Sequence, residues 1–527
     1  MTTAPVRLRR PLRPSAPAKS SDRRARARAI AEMKEDARIQ GILDLGDKIQ
    51  MMIFWIAFAV TGAIYGSTPP TDFIYSLTLT TFAFAVAAVE LWLLVMTKRS
   101  IFRARGFMFT GLFAVILAKP LVYGAKDIRL DVRTTLNGLM KAEVLVWLFY
   151  ACVWTGYVYR GRKRSAAAKM LDEIVPHPPA NLMFWMAVFC FTPELLRRWF
   201  LTDWTRVQSI WMAILGQEGA ANFFRGQFGD WRVVFMPAGW LFELFPVVAT
   251  VAFIKCRGRF ELRAILAAMF LFVAVGRLLD WSRFRFAMVL FTPILFFFLC
   301  FSPKKYLRMY VISGLAFLIF VPLANLMVSG RSGQWFREGN FEMDVNATKV
   351  VEGNYPVLAH AVEVVPDLVP HKPWWELYYY IAINPIPRFL WKNKPWMDPD
   401  YLGKIRPHYA AMTLVGDMYI YGGWWHLMAA GFVFGLMIRS LDNFAQPMKP
   451  MDPDRAVLFL ACGWIVLWAN RSLQASIRFT YPVIALVIIM SVVRWVNGKR
   501  RARKRKLLSP IAMRRMRPIP VRSGTFD

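Results

Sequence analysis

RFRFAMVLFTPILFFFLCFSPKKYLR, residues Arg283–Arg308, decides the fold class. From Phe286 to Ser302 no residue is charged, and cations flank the run on both sides. At about 1.5 Å of rise per residue, a helix of this length approaches the thickness of a bilayer's hydrocarbon core. The pattern recurs along the chain. Apolar runs lie near 48–67, 73–97, 107–124, 144–159, 179–200 and 232–254, then near 264–277, 286–302, 309–329, 422–440, 456–470 and 479–496. With 527 residues, 56% of them hydrophobic, one soluble core cannot hide so many runs. The expectation is an all-α polytopic membrane protein with about twelve transmembrane helices, because only helices and closed barrels satisfy their backbone in lipid.

The connecting sequences set a direction. KRSIFRAR at Lys98, RGRKR at Arg160, KCRGR at Lys255 and KKYLR at Lys304 are basic and fall on one side of the alternating spans. The positive-inside rule makes that side cytoplasmic, with both termini. Residues 1–38 carry eleven Lys/Arg against four acids, and residues 499–527 carry eleven against one. Beside apolar spans, such tails hold a segment in the cytoplasm against anionic lipid. No nucleic-acid fold accompanies the charge, so membrane lipid is the expected partner and nucleic acid is not. The basic N-terminal stretch is too long for a signal peptide, so the first span is expected to remain. Five cysteines form neither a disulfide framework nor a CxxC pattern.

The organisation expected is a basic tail over 1–47, nine spans over 48–329, one large extracytoplasmic loop over 330–410, three spans over 411–497 and a second basic tail over 498–527. The loop holds nine basic and nine acidic residues, unlike its cytoplasmic neighbours. Loops on a rigid scaffold carry function, so chemistry is sought here. Val357–Val365 reads as a short amphipathic helix with His360 and Glu363, three apart, on one face. WWELYYY at Trp374–Tyr380 reads as an interfacial aromatic segment. In NPIPRFLWKNKPW, Asn384–Trp396, Pro385 and Pro387 fix the backbone and present Arg388 from a stiff turn, with Lys392 and Lys394 behind it. A planar guanidinium on such a support suits bidentate capture of phosphate, and the same composition also suits an interfacial anchor.

Ile386-Pro387-Arg388-Phe389-Leu390-Trp391-Lys392-Asn393-Lys394-Pro395 forms an IPR-x-x-W-x-x-KP element. Gly416-Asp417-Met418-Tyr419-Ile420-Tyr421-Gly422-Gly423-Trp424 forms a GD-x-Y-x-x-x-G-W segment entering the next span. Together they resemble the bacterial oligosaccharide repeat-unit polymerases, the Wzy-type O-antigen polymerase group, over about 100 residues; the rest is similar by hydropathy alone. The resemblance implies a GT-C-like, metal-independent membrane glycosyltransferase with no cofactor. Its donor and acceptor would both be polyprenyl-pyrophosphate-linked oligosaccharides, at the periplasmic face. It also implies a chain-length regulator and a flippase as protein partners, with Trp391 and Tyr419 at the substrate.

Cations recur at the non-cytoplasmic ends of spans, against the positive-inside trend. Arg277, Arg283 and Arg285 surround one short turn, Arg331 leaves the ninth span, and Arg471 and Arg478 bracket another turn. With Arg388 and Lys394 they form the candidate pyrophosphate-binding set, against a structural alternative in which they snorkel to headgroups. Glycosyl transfer also needs a group to take the acceptor proton, and His360, Glu363 and Asp417 are the candidates. Glu90 and Lys119 lie within spans and read best as an ion pair. No His, Asp or Glu spacing points to a metal. An O-antigen ligase-like transferase and a twelve-span secondary transporter remain as alternatives, though the chain lacks the half-to-half repeat of many transporters. Insertion tags test the topology: a tag between Gly339 and Val350 is expected to react only from outside the cytoplasm, and tags at both termini only from inside. Cytoplasmic reactivity of the first tag would reverse the side on which the candidate site lies.

Overall fold

The computed structural model describes residues 19–97, 103–132, 134–159, 178–201, 241–279, 283–301, 306–332, 354–384, 412–445, 450–473 and 479–492, with single positions between them. Every regular element among these residues is helical. In chain order they are α1 (Lys19–Ser67), α2 (Asp72–Thr97), α3 (Ala104–Gly111), α4 (Ala118–Val132), α5 (Leu136–Tyr159), α6 (Ala180–Leu201), α7 (Phe245–Lys255) and α8 (Phe260–Leu279). Then come α9 (Arg283–Phe301), α10 (Tyr306–Ser332), α11 (Asn354–Val364), α12 (Trp374–Ile383), α13 (Leu414–Ile420), α14 (Gly423–Ala445), α15 (Pro453–Arg471) and α16 (Phe479–Val492). A π-helical stretch, Leu112–Leu117, joins α3 to α4. Six helices are long and apolar enough to cross a membrane: Met33–Ser67, Asp72–Thr97, Ala104–Ala125, Leu136–Tyr159, Arg283–Phe301 and Gly423–Ala445. Shorter apolar helices include Ala180–Pro193, Phe245–Lys255, Arg308–Ala324 and Phe479–Val492. The architecture is that of a helical membrane protein.

α5 is the axis of the bundle. Every residue from Ala142 to Trp154 is buried, which a helix achieves only when others enclose it on all sides. It packs on α1, α2, α11 and α14. The tightest of these crossings rests on missing side chains. In α14, Gly431 and Gly435 are four apart and face α5; a Cβ on Gly431 would sit 2.9 Å from the Phe149 carbonyl, and one on Gly435 would overlap the Val153 carbonyl. Gly156 of α5 answers them, with the Phe432 carbonyl where its Cβ would be. This small-xxx-small arrangement lets two backbones touch, which drives helix association where lipid supplies no hydrophobic contrast.

Buried charges mark one end of the bundle. Arg105 of α3 is 1% exposed; it bonds Asp47 of α1, and its Nη2 reaches both Glu90 oxygens of α2, at 2.9 and 3.0 Å. Arg439 of α14 reaches Asp47 at 3.3 Å, and Asp442 accepts from the Ala104 N–H at 2.6 Å and the Tyr157 hydroxyl at 2.6 Å. The pairing of Glu90 with Lys119 expected from sequence is therefore corrected: Glu90 takes Arg105, and Lys119 lies over the Tyr123 ring at 5.9 Å. Arg105 wins because a guanidinium fork can serve two carboxylates at once. At the same end Lys255, closing α7, pairs with Asp454, opening α15. The opposite end, where α5 begins and α15 finishes, carries α11, α12 and α13.

Gly435→Leu is expected to prevent the α5–α14 crossing and cost at least about 3 kcal/mol, as strong overpacking does. Gly62→Ala is the control, since nothing lies within 4 Å of its Cβ position. Thermal unfolding of the detergent-solubilised protein reads both: loss of a monodisperse folded species for the first, an unchanged or raised midpoint for the second.

Candidate functional site

α11 forms despite Pro356 because that proline lies in the first helical turn, where its missing N–H costs nothing. Two of its positions are half-buried, His360 and Glu363, and the rest are buried. They share one face, as their spacing requires. Glu363 reaches the start of α5, accepting from the Thr134 hydroxyl at 2.8 Å and the Thr135 N–H at 3.0 Å. Gly138 makes room, since a Cβ there would sit 2.8 Å from the Glu363 oxygen. Burial alone would raise the Glu363 carboxyl, but hydrogen bonds from Thr135 and Thr134 and the charge of His360 hold it below the usual carboxylate range. Glu363 thus takes the Thr135 N–H and the Thr134 hydroxyl at the N-terminus of α5, where negative charge is stabilised.

The next turn gathers groups from four elements. The Val365 carbonyl, just past α11, accepts from the Tyr419 hydroxyl of α13 at 3.2 Å and from Lys141 Nζ of α5 at 3.4 Å. Lys141 also lies over the Tyr419 ring at 5.8 Å, and His371 meets that ring edge-on at 5.0 Å. Gly423, with φ 70°, turns the chain where a Cβ would press the His371 ring at 3.3 Å. His371 Nδ1 is buried and makes no hydrogen bond among the described residues. Partial burial holds its pKa below the ordinary histidine value, outweighing the Tyr419 and Ile420 carbonyls, and the charge of Lys141 acts in the same direction. His371 is therefore a neutral imidazole at neutral pH. Beside it, Tyr378 of α12 bonds His426 Nε2 at 2.9 Å, and His426 Nδ1 meets the Met418 carbonyl at 3.0 Å. Trp374, Trp375 and Tyr378 stay exposed, as an interfacial aromatic segment requires.

Asp417 is 1% exposed and ties α13 to the end of α15: Oδ2 accepts from the Ser472 hydroxyl at 3.0 Å and the Leu473 N–H at 2.8 Å. The neighbouring Arg471 stacks on Trp468 at 5.3 Å, and Trp468 meets Phe284 at 4.3 Å. Phe284 stands between Arg283 and Arg285 at the start of α9. Arg285 Nε bonds Glu243 at 2.9 Å, Arg277 Nη2 reaches the same carboxylate oxygen at 3.3 Å, and the Arg277 guanidinium lies over Phe242 at 4.5 Å. One path of contacts thus runs from Glu363 through Tyr419, Asp417 and Arg471 to Arg285.

The structure brings His360, Glu363, Asp417, Tyr419, Arg277, Arg283, Arg285 and Arg471 to one end. Lys394 lies beyond α12, where Nζ donates to the Asn384 and Ile386 carbonyls, each at 2.9 Å, and its N–H donates to the Trp391 carbonyl at 3.1 Å. Arg388 and Arg478 lie outside the described residues, as does the Arg331 side chain at the end of α10. Sequence reasoning did not assign His371, Lys141 or Glu243 to the site. The first was visible as a histidine in a proline-bounded loop and the third as an acid in an apolar run, but nothing in the spacing joined either to its partners. Among the described residues no group of three His, Cys, Asp or Glu is placed to hold a metal ion. Compared with protein families, curated proteins and solved structures, the chain matches none.

The Glu363 cap has a pH signature. A depressed folded-state pKa contributes stability above the unfolded-state value, about 4.3, and loses it as pH falls through the lower folded value. Glu363→Gln is expected to lower the thermal midpoint at pH 7, with the difference from the wild type closing below about pH 4. A difference that persists unchanged into acid would show that the carboxylate is not held at the α5 N-terminus.

Proposed function

We propose that the protein is an integral-membrane glycosyltransferase that joins polyprenyl-pyrophosphate-linked oligosaccharide repeat units into a longer glycan at the α11 end. On this reading the chain crosses the inner membrane twelve times with both termini cytoplasmic, and the α11 end faces the periplasm. The observation that carries the reading is a convergence. The GD-x-Y segment, the His360–Glu363 helix and cations from α8, α9 and α15 are far apart in sequence yet linked by contacts at one end of the bundle.

The reaction assigns distinct roles to these groups. The acceptor hydroxyl oxygen attacks the donor's anomeric carbon, the bond from that carbon to the pyrophosphate oxygen breaks, and polyprenyl pyrophosphate leaves with the bonding pair. The acceptor proton passes to a base. Glu363 is a poor base, since its Oε2 accepts from Thr134 and Thr135 and these donors reduce its basicity. Asp417 is held by Ser472 and Leu473. His371 fits the role best: neutral, half-buried, with a ring nitrogen that makes no hydrogen bond among the described residues. Charge developing on the departing pyrophosphate would be met by arginines, for which Arg283, Arg285 and Arg471 are the candidates at this end and Arg388 is the expected fork. Glu243, between Arg277 and Arg285, fixes their orientation.

Purified protein given lipid-linked repeat units is expected to produce a ladder of lengths without nucleotide sugars, whereas a ligase moves finished chains and a transporter makes no bond. Arg388→Lys keeps charge but loses the planar fork, and loss of one such donor costs about 10²-fold in rate. Normal polymer from a stably inserted Arg388→Lys protein would return that turn to an interfacial anchor. His371→Gln is expected to fall by about 10²-fold or more. The acid limb of the wild-type pH–rate profile should lie below about pH 6.5, because the folded site lowers this histidine's pKa.

A further inference from the structure

Far from the arginines, the interior of the bundle holds a carboxyl group of another kind. Glu143 lies about two turns into α5 and is fully buried. Its hydrogen-bond partners are the Thr78 hydroxyl at 3.1 Å and the Trp147 indole N–H at 3.0 Å. Four other carboxylates inside the bundle have a cation: Asp47 and Glu90 take Arg105, Glu243 takes Arg277 and Arg285, and Asp454 takes Lys255. Among the described residues no basic side chain acts on Glu143. An ionised carboxylate without a counter-charge is among the most expensive groups to bury, more so within a membrane.

The groups around it have spare oxygen. Among the described residues, the buried hydroxyls of Thr61 on α1 and Tyr75 on α2 make no hydrogen bond of regular geometry. Both face Glu143. Thr78 has one hydroxyl proton and three acceptors in reach, the Ile74 and Tyr75 carbonyls and Glu143, each at 3.1 Å. When that proton goes to a carbonyl, as helical threonines commonly arrange, the Thr78 oxygen lone pairs face the carboxylate. Three hydroxyl oxygens from two helices thus lie around one negative charge. Hard oxygen ligands suit hard cations, and one net negative charge in neutral surroundings is balanced by one positive charge, not two.

We propose that Glu143, with the hydroxyls of Thr61, Thr78 and Tyr75, binds a small monovalent cation of the sodium class inside the bundle. Trp147 fixes the second carboxylate oxygen and leaves the first for the ion. The site is separate from the α11 end and does not depend on the glycosyltransferase reading. One contact joins the two regions: Tyr355 of α11 meets Tyr75 and donates to the Leu139 carbonyl at 3.0 Å, so α11 covers the site.

Thermal unfolding of the purified full-length protein in detergent, near pH 8, tests this in sodium, potassium and choline chloride at equal ionic strength. A ligand that binds only the folded state raises the midpoint with its concentration. The wild-type midpoint is expected to rise saturably with sodium relative to choline. Glu143→Gln should remove that dependence, and Thr61→Val, which keeps the carboxylate, should raise the half-saturating sodium concentration about tenfold or more. Equal wild-type midpoints in sodium and choline would overturn the proposal and leave Glu143 as a protonated structural group. Sodium dependence that survives in Glu143→Gln would overturn it too. If Glu143→Gln does not fold, an unchanged half-saturation in Thr61→Val has the same force.

Discussion

The backbone contact between α5 and α14 is the constraint on which the rest depends. Gly431, Gly435 and Gly156 let these helices approach until carbonyls occupy the space of the missing Cβ atoms. That distance draws the remaining helices around α5 and buries it over more than three turns. It also determines where polar groups end up. With α5 enclosed, Glu143, Tyr150 and Tyr157 have no route to water, and each must find its partner inside the bundle. Tyr150 bonds Asn470 of α15, Tyr157 bonds Asp442 of α14, and Glu143 meets Thr78 of α2.

The two ends of the bundle solve the problem of buried charge differently. At the Arg105 end, two guanidinium groups and neighbouring carboxylates form a closed set that pins α1, α2, α3 and α14 together. Removing one member would leave its partner unpaired, and such losses cost about 3–5 kcal/mol. At the α11 end the pairs are looser. Glu243 serves two arginines through one oxygen, Arg285 is 26% exposed at its side chain, and Lys394 spends its ammonium on backbone carbonyls. The bundle is thus closed around its charges at one end and leaves cations partly exposed at the other.

The candidate site shows how capping and chemistry compete for the same residues. Glu363 and Asp417 each serve a helix terminus, Glu363 at the start of α5 and Asp417 at the finish of α15. A carboxylate occupied this way positions its helix, and through it the neighbouring side chains. Freed of that duty, His371 is the group whose nitrogen remains open beside Tyr419 and Lys141. The groups divide by hydrogen-bond capacity: Glu363 and Asp417 use an oxygen to hold the frame, while His371 Nδ1 makes no hydrogen bond among the described residues.

Hydropathy alone determined the helical membrane class, because uncharged runs long enough to approach a bilayer's thickness have no other stable fold in lipid. Helices lie in the described parts of the apolar segments read from the sequence, six of them long and apolar enough to cross a membrane, and residues 357–364 are helical with His360 and Glu363 on one face. These are local properties, set by residues within a few turns of one another. Which charge meets which was decided only by the tertiary structure. Glu90 took Arg105 in place of Lys119, His371 was brought to Tyr419, and Glu243 was placed between two arginines from different helices. A helix writes its period into the sequence but not its rotation or its neighbours, which here depend on where two glycine-faced backbones can touch.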